Sequence, residues 1–260
     1  MSTATDAGSR LRVENLRVAF GALVALDGVS WSVAPGEILG IIGPNGAGKS
    51  TCYNATTNML THSGKVFIDG KDVTEVPASR LAALGLRRAF QQNTFFKNLT
   101  VLENMIAVIQ PEYGTGLAET VFRPFHARRR AMQAREVAAK ALEHLGVPQQ
   151  FHDLYPTEIP YGTQRMLSIA LANATGARTL MLDEPAAGLG GEDMQKLKDL
   201  LLALRAEGMA LIVIEHHMDL IMNVTDRIVI LDQGRMLAYG TPEEIRRDPR
   251  VLEAYLGRDE

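Results

Sequence analysis

Gly43-Pro44-Asn45-Gly46-Ala47-Gly48-Lys49-Ser50-Thr51 has the residue types and spacing needed to hold a chain of phosphates. It satisfies G-x-x-x-x-G-K-S/T at every fixed position. The glycines let backbone N–H groups converge on an anion. A helix starting after Ser50 adds its own unpaired N–H groups and positive dipole end. Lys49 can then reach the outer phosphates, and the Ser50 hydroxyl can reach a divalent cation. The alternative is a glycine-rich turn that binds nothing. The flanks speak against it: Pro35-Gly36 reads as a turn and Glu37–Ile42 as a buried strand, which is the strand–loop–helix order the motif requires.

Three further segments carry groups of the same chemistry. Thr179-Leu180-Met181-Leu182-Asp183-Glu184 is an apolar strand ending in two acids. Asp183 suits a metal and Glu184 suits a general base for water. Ala210-Leu211-Ile212-Val213-Ile214-Glu215-His216 is a second apolar strand, ending in a histidine. Ala89-Phe90-Gln91-Gln92 follows a mixed apolar and basic stretch, and Ile159-Pro160-Tyr161-Gly162-Thr163-Gln164-Arg165 lies between it and Asp183. Taken alone, Gln91 reads as a surface amide, His216 as a loop histidine and the Asp183 pair as a solvated turn. Cys52 follows the phosphate loop directly. It reads either as a small core residue, which is the default, or as a thiol activated by a helix N-terminus and protected by nucleotide.

The elements that must position these groups follow from periodicity. Leu11–Ser32 and Lys65–Asp69 alternate or cluster apolar residues, with Asp69-Gly70 as a turn, which predicts a small antiparallel sheet. Leu180–Leu182, Leu211–Ile214 and Ile228–Leu231 are continuous apolar runs, as in a parallel sheet covered on both faces. Ala134, Ala138, Ala141, Leu142 and Leu145 mark one face of a helix that Gly146 can end. That helix belongs to a mostly helical subdomain over about residues 100–163. Thr241-Pro242-Glu243-Glu244 reads as a capping box opening a helix in a C-terminal tail, 241–260. Residues 1–10 are expected to be flexible, 11–240 to form one domain, and Gln110–Phe125 to be the longest loop.

Composition sets limits. The chain has 260 residues, 46% of them apolar, enough for a sizeable core. A net charge of −3 and a pI near 6.1 supply no basic field for nucleic acid, so none is expected as a partner. No apolar run approaches the ~20 residues that span a bilayer, and no charged-then-apolar leader is present. The expectation is a cytosolic chain that works at a membrane only through separate spanning subunits. One cysteine excludes an internal disulfide or a multi-cysteine zinc site.

In their order along the chain, these motifs resemble the ATP-binding cassette family, and most nearly the ATPases of branched-chain amino-acid (hydrophobic amino-acid) uptake transporters. The phrases that carry the resemblance are Phe20–Ser30, Ile42–Ser50, Thr100–Asn104, Tyr161–Arg165, Met181–Leu189, Ile214–Met218 and Val251–Gly257. The implied fold is α/β: a P-loop NTPase core with a mostly parallel sheet, an N-terminal antiparallel β-subdomain and a helical subdomain bearing the signature. The implied ligands are ATP and Mg2+. The family pattern places Phe20 on the adenine, with a β-core aromatic as the alternative. It places Gly43 through Thr51 on the phosphates and Ser50, Gln91 and Asp183 on the metal. Glu184 becomes the catalytic base, His216 the γ-phosphate contact, and Gln91 and Lys49 complete the catalytic set. Tyr161, Gly162, Thr163 and Gln164 form the signature, which closes in trans over ATP held by a second cassette. ATP would close a head-to-tail dimer and hydrolysis reopen it.

The same resemblance implies transmembrane permease subunits, a second cassette ATPase and, indirectly, a periplasmic or extracellular solute-binding protein. It implies a place on the cytoplasmic face of the membrane. Two departures bear on the second cassette. Pro160 stands where the signature usually has serine, and Gly190-Gly191 replaces an asparagine or aspartate after Leu189. Both fall on surfaces that serve a partner's ATP, which favours a heterodimer with one weakened site over a homodimer. Two other classes compete. A soluble cassette ATPase commonly carries two cassettes or a long coiled insertion, and this chain shows neither. A non-catalytic nucleotide-binding regulator conflicts with the intact Glu184 and His216.

Overall fold

The computed structural model describes residues 8–89, 95–113, 124–174 and 176–256. The chain folds as two compact units: Met1–Gln91 with Ala177–Gly188 and Leu201–Glu260, and Gln92–Gly176 with Leu189–Leu200.

Two kinds of hydrophobic pattern build two sheets in the first unit. In β1 (Leu11–Phe20), Leu11, Val13, Leu16 and Val18 point inward between more exposed neighbours. β1 pairs antiparallel with β2 (Leu23–Val33) and with β4 (Ser63–Ile68), whose outer neighbour is the short β5 (Lys71–Asp72). The β4–β5 turn is Asp69-Gly70, both at positive φ, which is what a tight two-residue hairpin needs. The second sheet runs β10-β9-β3-β8-β7-β6. Its strands β3 (Ile38–Ile42) and β8 (Ala210–Ile214) are buried at every residue, because a parallel sheet is covered on both faces. β6 (Leu86–Ala89), β7 (Thr179–Asp183) and β9 (Arg227–Asp232) complete the parallel set, and β10 (Arg235–Gly240) returns antiparallel along β9.

Helix α1 (Lys49–Thr56) lies between the sheets, against β1 and β2 on one side and β7 and β8 on the other. Its sequence, KSTCYNAT, is a poor helix former, so burial of Cys52, Tyr53 and Ala55 rather than intrinsic propensity stabilises it. The short α2 (Ala78–Leu81) precedes β6.

The second unit is helical: α3 (Val101–Tyr113), α4 (Pro124–His144), α5 (Tyr161–Asn173) and the start of α6 (Gly191–Ala206). Ala134, Ala138, Leu142 and Leu145 are buried along α4 as the periodicity predicts, and Gly146 ends it at φ +79°. Buried Asn104 organises the approach to α3: its amide donates to Phe96 O, Leu99 O and Thr100 O and accepts from Phe96 N–H. The expected loop Gln110–Phe125 is helical at both ends, since Gln110–Tyr113 continue α3 and Pro124-Phe125 begin α4. The apolar periodicity of α3 runs out before its backbone does, which hid that last turn. Residues 114–123, and residues 1–7 of the N-terminal segment, lie outside the described residues.

The remaining helices, α7 (Met218–Val224), α8 (Pro242–Arg247) and α9 (Pro249–Leu256), belong to the first unit. The capping box of α8 is present in full: Thr241 Oγ1 accepts from Glu244 N–H, and Glu244 accepts from Thr241 N–H.

Candidate nucleotide site

The phosphate loop leaves β3 at Gly43 and is braced by residues far away in sequence. A Cβ at Gly43 would lie 2.1 Å from Leu231 O, so the backbone can pass β9 here only as glycine. Gly234, in the β9–β10 turn, donates its N–H to Ala47 O at 3.0 Å and accepts from Asp27 N–H at 2.8 Å. The turn therefore ties the loop to β2. A cavity of about 440 Å³ lies over it, lined by Leu23–Ala25, Asn45–Thr51, Glu184, Gln233 and Gly234.

Lys49 is buried, and its ammonium donates to Gly43 O at 2.7 Å and Pro44 O at 3.0 Å. Burial lowers its pKa below the ordinary lysine value, while Glu184 and Asp183 pull it back up. A cation held within a concave loop of backbone N–H groups fits a polyphosphate.

The acidic end of the site is set by two strand ends. Asp183 closes β7 and is half-buried. Burial raises its pKa first, and the charge of Glu184 adds to this; Arg88 and Lys49 oppose both. A carboxylate held in such a place is stabilised by a cation, and Ser50 and Asp183 are the described residues whose chemistry suits Mg2+.

Glu184 adopts φ +46°, a left-handed conformation rare for a glutamate, and its N–H donates to Ile214 O at 2.8 Å. That turn takes its carboxylate off the sheet, 3.7 Å from His216 Nδ1.

Glu215 is a structural tether beside the site that sequence reasoning passed over. It is fully buried, and its two oxygens accept from three backbone N–H groups: Ala186 at 2.6 Å, His216 at 3.0 Å and His217 at 3.4 Å. Those bonds tie the turn after Glu184 to the start of the His216 turn. Glu215, His216 and His217 bring donor atoms within 4.8 Å of one another, but the Glu215 lone pairs are largely used by the backbone. The carboxylate is a tether rather than a metal ligand. The available signal was an acid placed directly after a wholly apolar strand.

The structure thus brings Asn45–Thr51 and Glu184 to one cavity, with Asp183 and His216 beside them. Phe20 is the last residue of β1, paired with Leu23 and 51% exposed. It is not a core aromatic, and its ring face is available. Gln91 lies outside the described residues. In the helical unit, Pro160 takes the N-cap position of α5 with no side-chain cap, Tyr161 is exposed and Gln164 Nε2 donates to Ile159 O. A Cβ at Gly162 would lie 2.2 Å from the Asp193 carboxylate, so the close approach of α6 requires glycine there. The reading of Cys52 as an activated thiol is overturned. It is fully buried between the sheets, and burial pushes its pKa up to about 11. Desolvation outweighs the helix N-terminus.

A family model described as "ABC transporter" matches residues 26–187, and one described as "Branched-chain amino acid ATP-binding cassette transporter" matches residues 235–260. The chain belongs to the ATP-binding cassette transporter family, as its nucleotide-binding ATPase component.

Among its relatives, it is 39% identical to the high-affinity branched-chain amino acid transport ATP-binding protein BraF of Pseudomonas aeruginosa, over 95% of this chain and 97% of that one. It is 37% identical to LivG of Escherichia coli, described in the same words, with the same coverage. Among solved structures, the ADP conformation of MJ1267, an ATP-binding cassette of an ABC transporter, is similar with TM-score 0.82 and 32% identity, covering 96% of this chain and 99% of that one. A nucleotide-free cassette from an ABC transporter matches with TM-score 0.81 and 33% identity, over 95% and 98% of the two chains.

Proposed function

We propose that this chain is the energy-supplying subunit of a membrane importer for branched-chain or related amino acids. The observation that carries the hydrolytic half is that Lys49 and Glu184 line one cavity above the phosphate loop, with Asp183 and His216 beside them. The relatives' descriptions, and the match of the C-terminal residues 235–260, support the amino-acid half.

In this reading Lys49 and the N–H groups of Gly46–Thr51 hold the β- and γ-phosphates of ATP. Ser50, Asp183 and Gln91 hold Mg2+, which neutralises phosphate charge when bound. Glu184 takes the proton of the attacking water, and His216 contacts the γ-phosphate from the same side. Phe20 stacks on the adenine. Tyr161, Gly162, Thr163 and Gln164 act in trans on ATP held by a second cassette. Pro160 offers neither hydroxyl nor N–H there, which supports a heterodimer whose two sites differ.

Among the described residues no helix is long and apolar enough to cross a membrane. The proposed partners therefore include permease subunits, with the chain held peripherally on the cytoplasmic face and a solute-binding protein acting through those subunits. The test is to purify the chain from its native membrane, identify what accompanies it and measure Mg2+-dependent ATP hydrolysis. Co-purifying permease subunits and a turnover abolished by Glu184→Gln are expected. Purification without membrane partners would overturn the transport reading, and turnover unaffected by Glu184→Gln would overturn the assignment of the base.

A further inference from the structure

One polar cluster inside the first unit lies outside the nucleotide cavity and meets the site just described through the charge of Arg88 near Asp183. Tyr53 lies one helical turn after Lys49 on α1 and is 1% exposed. Its hydroxyl donates to Ala89 O at 2.9 Å and lies 3.3 Å from Met181 O. Ala89 ends β6, two residues before Gln91, and Met181 lies two residues before Asp183. Arg88 covers the ring, with its guanidinium carbon 4.2 Å from the ring centroid. The same guanidinium donates to Thr57 Oγ1 and Asn54 Oδ1, both at 2.8 Å.

Phenylalanine would fill this space without bringing a hydroxyl into an apolar core. A buried phenol is costly unless it is hydrogen-bonded, and this one is bonded to the end of β6 and lies close to a carbonyl in the middle of the neighbouring parallel strand β7. The arginine fork fixes the ring plane by binding the same helix that carries the tyrosine, an arrangement a lysine cannot reproduce. Burial pushes the phenol up to about 12, so it stays a donor throughout the physiological range.

We propose that Tyr53 and Arg88 are positioning residues that clamp the end of β6 and the middle of β7 to the phosphate-loop helix. Asp183, which closes β7, and Glu184, which follows it, thereby keep register with Lys49. Neither clamp residue lines the nucleotide cavity. The inference rests on the ATPase reading for its use, but not for its geometry.

The test uses the full-length chain with Tyr53→Phe, Arg88→Lys and Arg88→Met, and two readouts. Amide hydrogen exchange without nucleotide reads the clamp: Tyr53→Phe should speed exchange at Leu86–Ala89 and Leu180–Asp183 while the other strands are unchanged. Steady-state kinetics with fluorescent-ATP binding reads its use. Turnover in Tyr53→Phe should fall ~3- to 10-fold, with ATP affinity within about two-fold of the parent. Arg88→Lys should fall between the parent and Arg88→Met. Unchanged local exchange overturns the clamp. Parent-level turnover in Tyr53→Phe overturns its role in hydrolysis. Parallel losses of affinity, turnover and global protection would reduce both residues to packing. A parent chain that binds but never hydrolyses ATP defeats the ATPase reading instead, and the exchange experiment still decides the clamp.

Discussion

At Gly43 the backbone is boxed in by Leu231 O and supplies a carbonyl to the Lys49 ammonium. At Pro160 the start of α5 has no side-chain cap, and Tyr161 beside it is exposed. Both segments are short and both are proposed to face phosphate, yet Gly43 is enclosed by backbone, whereas Pro160 and Tyr161 are exposed while Gly162 packs against Asp193. The groups assigned to this chain's own ATP are braced by β2, β8 and β9. Of those proposed to serve a partner's ATP, Tyr161 is exposed and Gly162 is buried. On the proposed reading, such a cassette would bind nucleotide alone and leave half of each catalytic site to be completed by assembly.

The sharpest test of that contrast is Glu184→Gln. It keeps shape and removes the base, so turnover should fall by about 10²- to 10⁴-fold while ATP still binds and holds the paired cassettes closed. Lys49→Ala should act earlier, weakening ATP binding about 10- to 100-fold through loss of a charge-assisted bond, as equilibrium binding would show. Pro160→Ser should act only on the partner's nucleotide, raising turnover there by about 10-fold, with this chain's own site unchanged. Equal effects at both sites would erase the distinction between the two regions.

Asp183→Asn should separate stability from function. The carboxyl pKa is raised in the folded chain, so its contribution is favourable below the unfolded value of 3.8 and is lost as pH climbs through the folded one. At neutral pH the ionised group is a standing cost. The variant should melt at a higher temperature without nucleotide and lose Mg2+-dependent turnover, which calorimetry and an ATPase assay would check. The smallest expected effect is at Cys52, where a thiol reagent should label the folded chain negligibly, with or without ATP, as mass spectrometry would show.

What could be read in advance had a local cause. The phosphate loop and the Asp183-Glu184 strand end were legible because glycine spacing and apolar runs dictate their backbone directly. The two sheets were legible because alternation marks one and continuous burial the other. Glu215, the Gln233-Gly234 turn and Leu23–Ala25 were not, because each matters through contact with segments distant along the chain. Cys52 kept two readings for the same reason: the helix N-terminus is visible in the sequence, whereas the enclosing sheets, which bear out the default core reading, are not. Phe20 was left between two readings until its exposure removed the core alternative.

The Gly234 contact with Ala47 and Asp27 has a consequence for synthesis. The loop motif emerges early from the ribosome, yet the turn that braces it is made only when most of the chain has been translated. Until β9 and that turn emerge, Gly43–Thr51 lacks Leu231 beside it and Gly234 beneath it. Nascent chains stopped before residue 234 should therefore fail to retain ATP, and nucleotide capture becomes one of the last events in the folding of the newborn cassette.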